Sequence, residues 1–195
     1  MRALAIVATA DAMDSPREPA TVLDAARAGD LAAFEELMRR YERLVLATAL
    51  RMLGSLEDAQ DASQEVFFRL YRNLRKVESR SLSSWLYRVT VNVCHDLRRK
   101  RGQSVATEEA GEMATPAGDP QQLTAEAERK RALVLSLKML PEKERAALIL
   151  RDLEGLPTGE VARVLGSTEA TVRSQVSRAR IKVKDFLERY FRGRS

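Results

Sequence analysis

The chain has 195 residues, enough for one ordinary domain or two small ones, and its 45% hydrophobic and 31% charged residues support a packed core and speak against wholesale disorder. A formal charge of +5 is compatible with a polyanion partner, and a sequence with one cysteine and one histidine has neither an internal disulfide nor a spaced Cys/His metal set. No apolar run reaches the roughly 20 residues that a membrane span needs, so membrane insertion is not expected, and the lone thiol agrees with a reducing, cytoplasmic setting.

The charge is spread unevenly. Residues 1–101 carry 17 Lys/Arg and 14 Asp/Glu, while residues 129–195 carry 16 bases and 8 acids. Between them, residues 102–128 hold six acids (Glu108, Glu109, Glu112, Asp119, Glu126, Glu128) and no base. Two basic blocks around an acidic connector are not what a uniformly solvated surface would give. Aromatics make up only 5% of a chain rich in Ala, Leu, Arg and Glu, which favours helices over sheets.

Residues 1–25 are expected to be a disordered extension. The apolar stretch at 1–10 is short for a secretion signal, a single base precedes it, and Met13 is a second candidate start. From Asp30, apolar residues at Phe34, Leu37, Tyr41, Leu44, Val45, Thr48 and Met52 share one helical face, and Gly54 ends the run. Ser55 then opens a second helix with a capping box, Asp58 reaching back, and Ala59, Ala62, Val66, Leu70 and Leu74 face inward. A third helix over about 82–101 turns Leu82, Leu86, Val89, Val93 and Leu97 to the same core. Residues 102–124, with Gly102, Gly111, Pro116, Gly118 and Pro120 among acids, read as a flexible linker. Helices at 125–139 and 141–153 follow, with Pro141 suited to a first turn and Gly155 to a stop, then two more at about 158–165 and 168–187. The fold class expected is all-α: two small helical domains, 26–101 and 125–192, joined by the acidic linker.

The last two helices have the pattern of a helix-turn-helix. Ala162 is the small residue inside the first helix, Gly166 takes the turn, and Val161, Leu165, Val172 and Val176 can pack the pair together. Thr171, Arg173, Ser174, Ser177 and Arg178 then point outward, an arrangement in which arginine can donate twice to a guanine edge while hydroxyls, Lys182 and Lys184 suit phosphates. A helical hairpin with a merely solvated basic face is the plain alternative.

In the first domain, the second helix shows an outer face of Asp58, Asp61, Gln64 and Glu65 followed by Arg69 and Arg72. Phe67 and Phe68 cannot both face one core, so one of them lies near the surface. Such a stripe suits a protein partner, although an ordinary exposed helix would also carry it. The third helix sets Arg88, Asn92, His95 and Arg99 opposite its apolar face and ends in Arg98-Arg-Lys-Arg101. With Trp85 and Tyr87 nearby, it could hold a single DNA strand, unless both aromatics belong to the core. Catalytic, metal and cofactor sites are not expected: Cys94 and His95 diverge on their helix, and Cys94 reads as a small buried hydrophobe.

Asp58-Ala-Gln-Asp-Ala-Ser-Gln-Glu-Val-Phe67 resembles the polymerase-binding helix of the extracytoplasmic-function group of bacterial RNA polymerase sigma factors, in the sigma-70 family. Ser84-Trp-Leu-Tyr-Arg-Val-Thr-Val-Asn92, followed by Asp96 and a basic run, resembles that family's promoter-melting segment, and Leu140-Pro-Glu-Lys-Glu-Arg145 with the helix-turn-helix resembles its fourth domain. The resemblance implies that residues 26–101 are sigma domain 2 and 125–192 sigma domain 4. It implies that Asp58, Asp61, Gln64, Glu65 and Phe68 meet core RNA polymerase, on its β′ coiled coil with further contacts to the β subunit. Arg88, Asn92, Asp96 and Arg99, with the loop around 77–83, would engage the non-template strand of the −10 element. Thr171, Arg173, Ser174, Ser177, Arg178 and Lys182 would read the −35 element. The acidic linker would thread toward the RNA channel of the polymerase, and an anti-sigma factor would hold the protein inactive.

Three departures from the family stand out. Pro157 occupies a usual serine-type cap position, so Thr158 is expected to cap instead, Gly159 weakens the same helix, and Ser177 is small where larger residues are common, so no −35 preference is carried over. A regulator whose helix-turn-helix works alone on duplex operators is the second reading, and a helical RNA-binding or scaffold protein the third.

Overall fold

The computed structural model describes residues 18–105 and 125–193, which form eight α-helices and no strand. The first unit contains α1 (Pro19–Arg27), α2 (Leu31–Leu53), α3 (Leu56–Asn73) and α4 (Leu82–Val105). The second contains α5 (Ala125–Lys138), α6 (Glu142–Leu148), α7 (Thr158–Leu165) and α8 (Glu169–Arg192). Residues 106–124 of the expected linker lie outside the described residues, while 102–105 continue α4.

The punctuation of the first unit follows its sequence. Asp30 caps α2, its carboxylate accepting the Ala33 N–H at 3.1 Å, and the helix stops at Gly54, whose φ of +71° a side chain would strain. Ser55 accepts the Asp58 N–H at 3.4 Å to start α3. The reciprocal half of the expected capping box does not form: the Asp58 carboxylate is taken instead by Arg101 of α4 in a two-pronged ion pair. Ala59, Ala62, Val66, Leu70 and Leu74 are buried, as are Leu82, Leu86 and Val93, with Val89 and Leu97 half-buried at the rim. Each fully buried leucine contributes about 1.5–3 kcal/mol relative to exposure.

Helix α1 corrects the expectation that residues up to 25 lack structure. Val22 and Leu23 are fully buried against the other helices, and Arg27 ties α1 to the turn after α3, donating from Nε to the Leu74 carbonyl at 3.0 Å and from the guanidinium to the Val77 carbonyl. The short Val-Leu pair, set among alanines, was too brief a periodic signal to separate from its flanks. Residues 1–17 lie outside the described residues. Val22→Ala is expected to lower unfolding free energy by about 2 kcal/mol, read from urea denaturation followed by circular dichroism.

In the second unit, Arg145 is 1% exposed and acts as an internal staple. Its guanidinium donates to the carbonyls of Leu137 (2.6 Å), Lys138 and Leu140 (both 2.7 Å), and across to Met52 of α2 (3.1 Å). After α6 the chain makes one wide turn over Ile149–Leu153, the Glu154 N–H reaching the Ile149 carbonyl at 2.9 Å. Pro157 then occupies the N-cap of α7 without a side-chain cap. Thr158 therefore does not cap this helix: the Pro157 carbonyl already accepts the Glu160 and Val161 N–H groups. At Gly166 the φ of +59° makes the tight turn, and Val161, Ala162, Val164, Val172 and Val176 are buried between α7 and α8. The buried residues of the two units join in one continuous core, with α2 packing on α5 and α4 on α7.

Candidate nucleic-acid and polymerase interface

The outward side of α8 forms the first surface. Thr171, Arg173, Ser174, Ser177, Arg178 and Lys182 are all exposed, while Val172, Gln175, Val176 and Ala179 face inward. Thr168 caps the helix by accepting the Thr171 N–H at 3.2 Å, which fixes the first residue of the row. Carboxylates hold the cations in place: Arg173 meets Glu169 at 3.2 Å, and the buried Glu144 of α6 takes Arg178 at 3.1 Å and Lys182 at 2.8 Å. Arg178 also donates to the Ser174 hydroxyl at 3.0 Å. A groove of about 400 Å³ beside this row is lined by Arg151, Thr158, Arg173, Ser177 and Arg180.

Arg151 and Arg180 were missed by sequence reasoning. Arg180 lies seven residues after Arg173 on the same helical face, so its spacing could have revealed it. Arg151 sits in the wide turn, where periodicity gives no signal. Asp152 grips Arg180 with two bonds of 2.7 and 2.8 Å, and this hydrogen bonding, then Coulombic attraction, raises the guanidinium pKa further.

The second surface is the outer side of α4. Arg88 and Asn92 are exposed, His95 is half-buried, and all three line a cleft of about 550 Å³ whose far wall includes Lys143, Arg163, Thr171 and Gln175. Asp96 lies elsewhere, between Arg99 at 3.4 Å and Arg69 of α3 at 3.9 Å. The structure thus brings Arg88 and Asn92 together and sets Asp96 with Arg99 one to two turns along. Trp85 is half-buried against the core and Tyr87 is 8% exposed, so both aromatics serve packing.

The third surface joins α2 and α3. Asp61 and Gln64 are exposed in an open groove of about 650 Å³ with Glu35, Met38, Arg39 and Phe67. Glu65, paired with Arg69 at 2.7 Å, lies on the adjoining face with Phe68, which is 55% exposed under the Arg72 guanidinium. Of the two adjacent phenylalanines, then, Phe67 enters the core and Phe68 faces outward. Asp58 does not belong to this outer stripe. It is 8% exposed and committed to Arg101, and Glu35, Met38 and Arg39 of α2 take part in the groove instead.

A two-unit helical fold with a helix-turn-helix, a cationic row on α8 and an acidic-apolar groove on its other unit defines the class, a helix-turn-helix protein whose α8 row suits duplex DNA and whose first-unit groove suits a protein partner. Residues 37–104 match the family description Sigma-70 region 2, and residues 130–183 match Sigma-70, region 4. The ECF RNA polymerase sigma factor SigM of Mycobacterium tuberculosis is 35% identical over 173 residues, covering 88% of this chain and 85% of SigM. SigE of Mycolicibacterium smegmatis, another ECF RNA polymerase sigma factor, is 32% identical over 168 residues, covering 83% of this chain, which spans 65% of the length of SigE. The fold is similar to that of the sigma factor RpoE from Bartonella quintana, solved in complex with the anti-sigma factor NepR, with a TM-score of 0.67 at 24% identity over 80% of this chain and 96% of that one. The chain belongs to the ECF RNA polymerase sigma factors of the sigma-70 family. Among the described residues, no helix is long and apolar enough to cross a membrane.

Proposed function

We propose that this protein is an alternative sigma factor that binds core RNA polymerase, recognises −35 and −10 promoter elements and assists melting, without catalysing a reaction itself. The observation that carries the reading is the pairing of two different surfaces on one chain. One is a cationic recognition helix suited to duplex DNA, and the other is an acidic and apolar groove suited to protein. A regulator acting alone on duplex DNA leaves that groove without a use.

In this reading Asp61, Gln64, Glu65 and Phe68 bind the β′ coiled coil, and Asp58 supports them by anchoring the start of α3 to Arg101. Arg88 and Asn92 hold the opened −10 strand, so melting follows from preferential binding of the separated strand over the duplex. Asp96 and Arg99 flank that strand, and the α8 row reads the −35 element in the major groove. The β subunit is a second polymerase contact. An anti-sigma factor of the kind found with the Bartonella quintana relative would restrain the protein, which would work in the cytoplasm.

Co-elution with core polymerase tests the first unit. Asp61→Ala is expected to weaken polymerase binding by roughly tenfold, the cost of truncating a well-placed polar contact in an interface, while the ranking of promoters stays unchanged. Equal affinity for polymerase in the variant and the parent would remove this groove from the assignment.

A further inference from the structure

Among Arg173, Arg178 and Lys182 of the α8 row, the last two share an anchor that the first does not have. Arg173 pairs with Glu169 of its own helix, and both side chains are more than half exposed, so water and salt loosen that pair. Arg178 and Lys182 instead meet one carboxylate from another helix. Glu144 of α6, its side chain 10% exposed, accepts Arg178 Nε on Oε1 at 3.1 Å and Lys182 Nζ on Oε2 at 2.8 Å. Glu144 has little freedom to follow them. Helix α6 packs along α8, and the neighbouring Arg145 pins it to carbonyls of α5, the following turn and α2.

This arrangement selects which donors of Arg178 stay free. Glu144 closes the Nε side of the guanidinium, and the Ser174 hydroxyl takes one hydrogen of Nη1 at 3.0 Å. Nη2 and the other hydrogen of Nη1 have no partner among the described residues, on a side chain that is 56% exposed. That end edge is a fork able to donate to O6 and N7 of guanine in the major groove. A phosphate accepts from any edge of a guanidinium, so it loses more than a guanine does when the Nε side is occupied. Lys182 is the opposite case. A compact ammonium with rotatable donors suits a phosphate and carries no sequence information. The Glu144 carboxylate offsets its charge and draws it back toward α6.

We propose that Glu144 is a specificity-determining positioning residue of the −35 surface. It turns the end fork of Arg178 toward a guanine edge and holds Lys182 back from the phosphate backbone, so this stretch of α8 reads sequence in preference to charge. Specificity is a difference between two affinities, and weakening the attraction to any duplex raises it as surely as strengthening one correct contact. The proposal rests on the sigma-factor reading for what the α8 row binds, and it adds to that reading one base, a guanine opposite Arg178.

The test uses holoenzyme formed from core RNA polymerase and the full chain. Its affinity is measured over a range of salt for a promoter on which it initiates, for that promoter with each −35 G·C pair exchanged for A·T, and for a promoter-free duplex. Glu144→Gln keeps an acceptor for Arg178 but no charge for Lys182, while Glu144→Leu fills the same buried space with no polar atom. Both should steepen the fall of log affinity with log salt on the promoter-free duplex by about 1, the contribution of one new phosphate contact. Adding Lys182→Gln to either should return the slope to that of the parent. Glu144→Leu should also lose roughly tenfold of the preference for G·C over A·T at one −35 position, and Glu144→Gln much less. A part played only in folding would weaken binding to every duplex alike, and removing the Lys182 charge would not reverse it. That uniform loss, or slopes and preferences equal to the parent's in both variants, would overturn the proposal. So would a parent holoenzyme that reads its −35 element without favouring any G·C pair. A parent that directs no initiation at all would instead overturn the sigma-factor reading beneath it.

Discussion

Arg145→Ala is expected to destabilise the protein by about 3–5 kcal/mol, enough to unfold the second unit in many backgrounds. The side chain is 1% exposed and supplies four hydrogen bonds to main-chain carbonyls at the end of α5, in the following turn and at the end of α2. Those carbonyls sit where helices end, and of the four the Leu137 carbonyl also accepts the Leu140 N–H at 3.2 Å. Truncation would leave a cavity and several buried acceptors without donors, each costing about 1–3 kcal/mol before relaxation or water entry. Arg145→Lys keeps the charge but replaces a planar fork with a single ammonium on a flexible stem, so it should recover only part of the loss. Guanidinium chloride denaturation of the three proteins checks the order parent, lysine, alanine. Equal midpoints for parent and alanine variant would mean that the staple carries no net weight.

The second large effect is expected on the recognition helix. Arg173→Ala combined with Arg178→Ala should reduce transcription from a promoter that requires its −35 element by about 100-fold or more, since each bidentate contact to a base is worth about 1–3 kcal/mol. The two arginines are already ordered, one by Glu169 and the other by Glu144 and Ser174, so little rotamer entropy remains to be lost on binding. Polymerase binding should be unaffected, because the surface proposed for it lies on α2 and α3 of the other unit. A promoter whose −10 element alone suffices serves as the internal control. If the double variant lost polymerase affinity and −35 discrimination in equal measure, the separation of the two surfaces would be wrong. Glu144, 8% exposed, is the residue to watch beside them: it anchors both Arg178 and Lys182 from α6 and so sets the direction in which they point.

The sequence was most informative where local signals agreed. Asp30, Gly54, Ser55 and Gly166 punctuate helices for stereochemical reasons that need no tertiary context: α2 begins and ends, α3 begins and α7 ends where those residues predict. Inward faces were legible from period alone, as with Ala59, Ala62, Val66 and Leu70. The failures came from long-range partners. Asp58 has the composition of an outer acidic stripe, yet Arg101, 43 positions away, draws it into an ion pair. Arg145 looks like one more surface base until the carbonyl ends of two helices converge on it. Helix α1 is short enough that its burial depends wholly on packing against the rest of the first unit, which no window of sequence contains.

The same contrast holds for the candidate interface. The α8 row was readable because a recognition helix presents its outward residues in one stretch. The α2 half of the groove, with Glu35, Met38 and Arg39, was not, since those residues lie more than twenty positions from Asp61. The hydrogen bonds that Glu154 accepts from Thr48, Arg51 and Tyr87 were equally hidden, because those three residues come from two helices distant from it in sequence.

Run-off transcription from a promoter library, with core RNA polymerase alone and with this protein added, tests the central claim most directly. The sigma-factor account predicts initiation that depends on the protein and maps to promoters sharing one −35 and −10 pair. Polymerase that stays silent while the protein by itself shifts duplex DNA would contradict it.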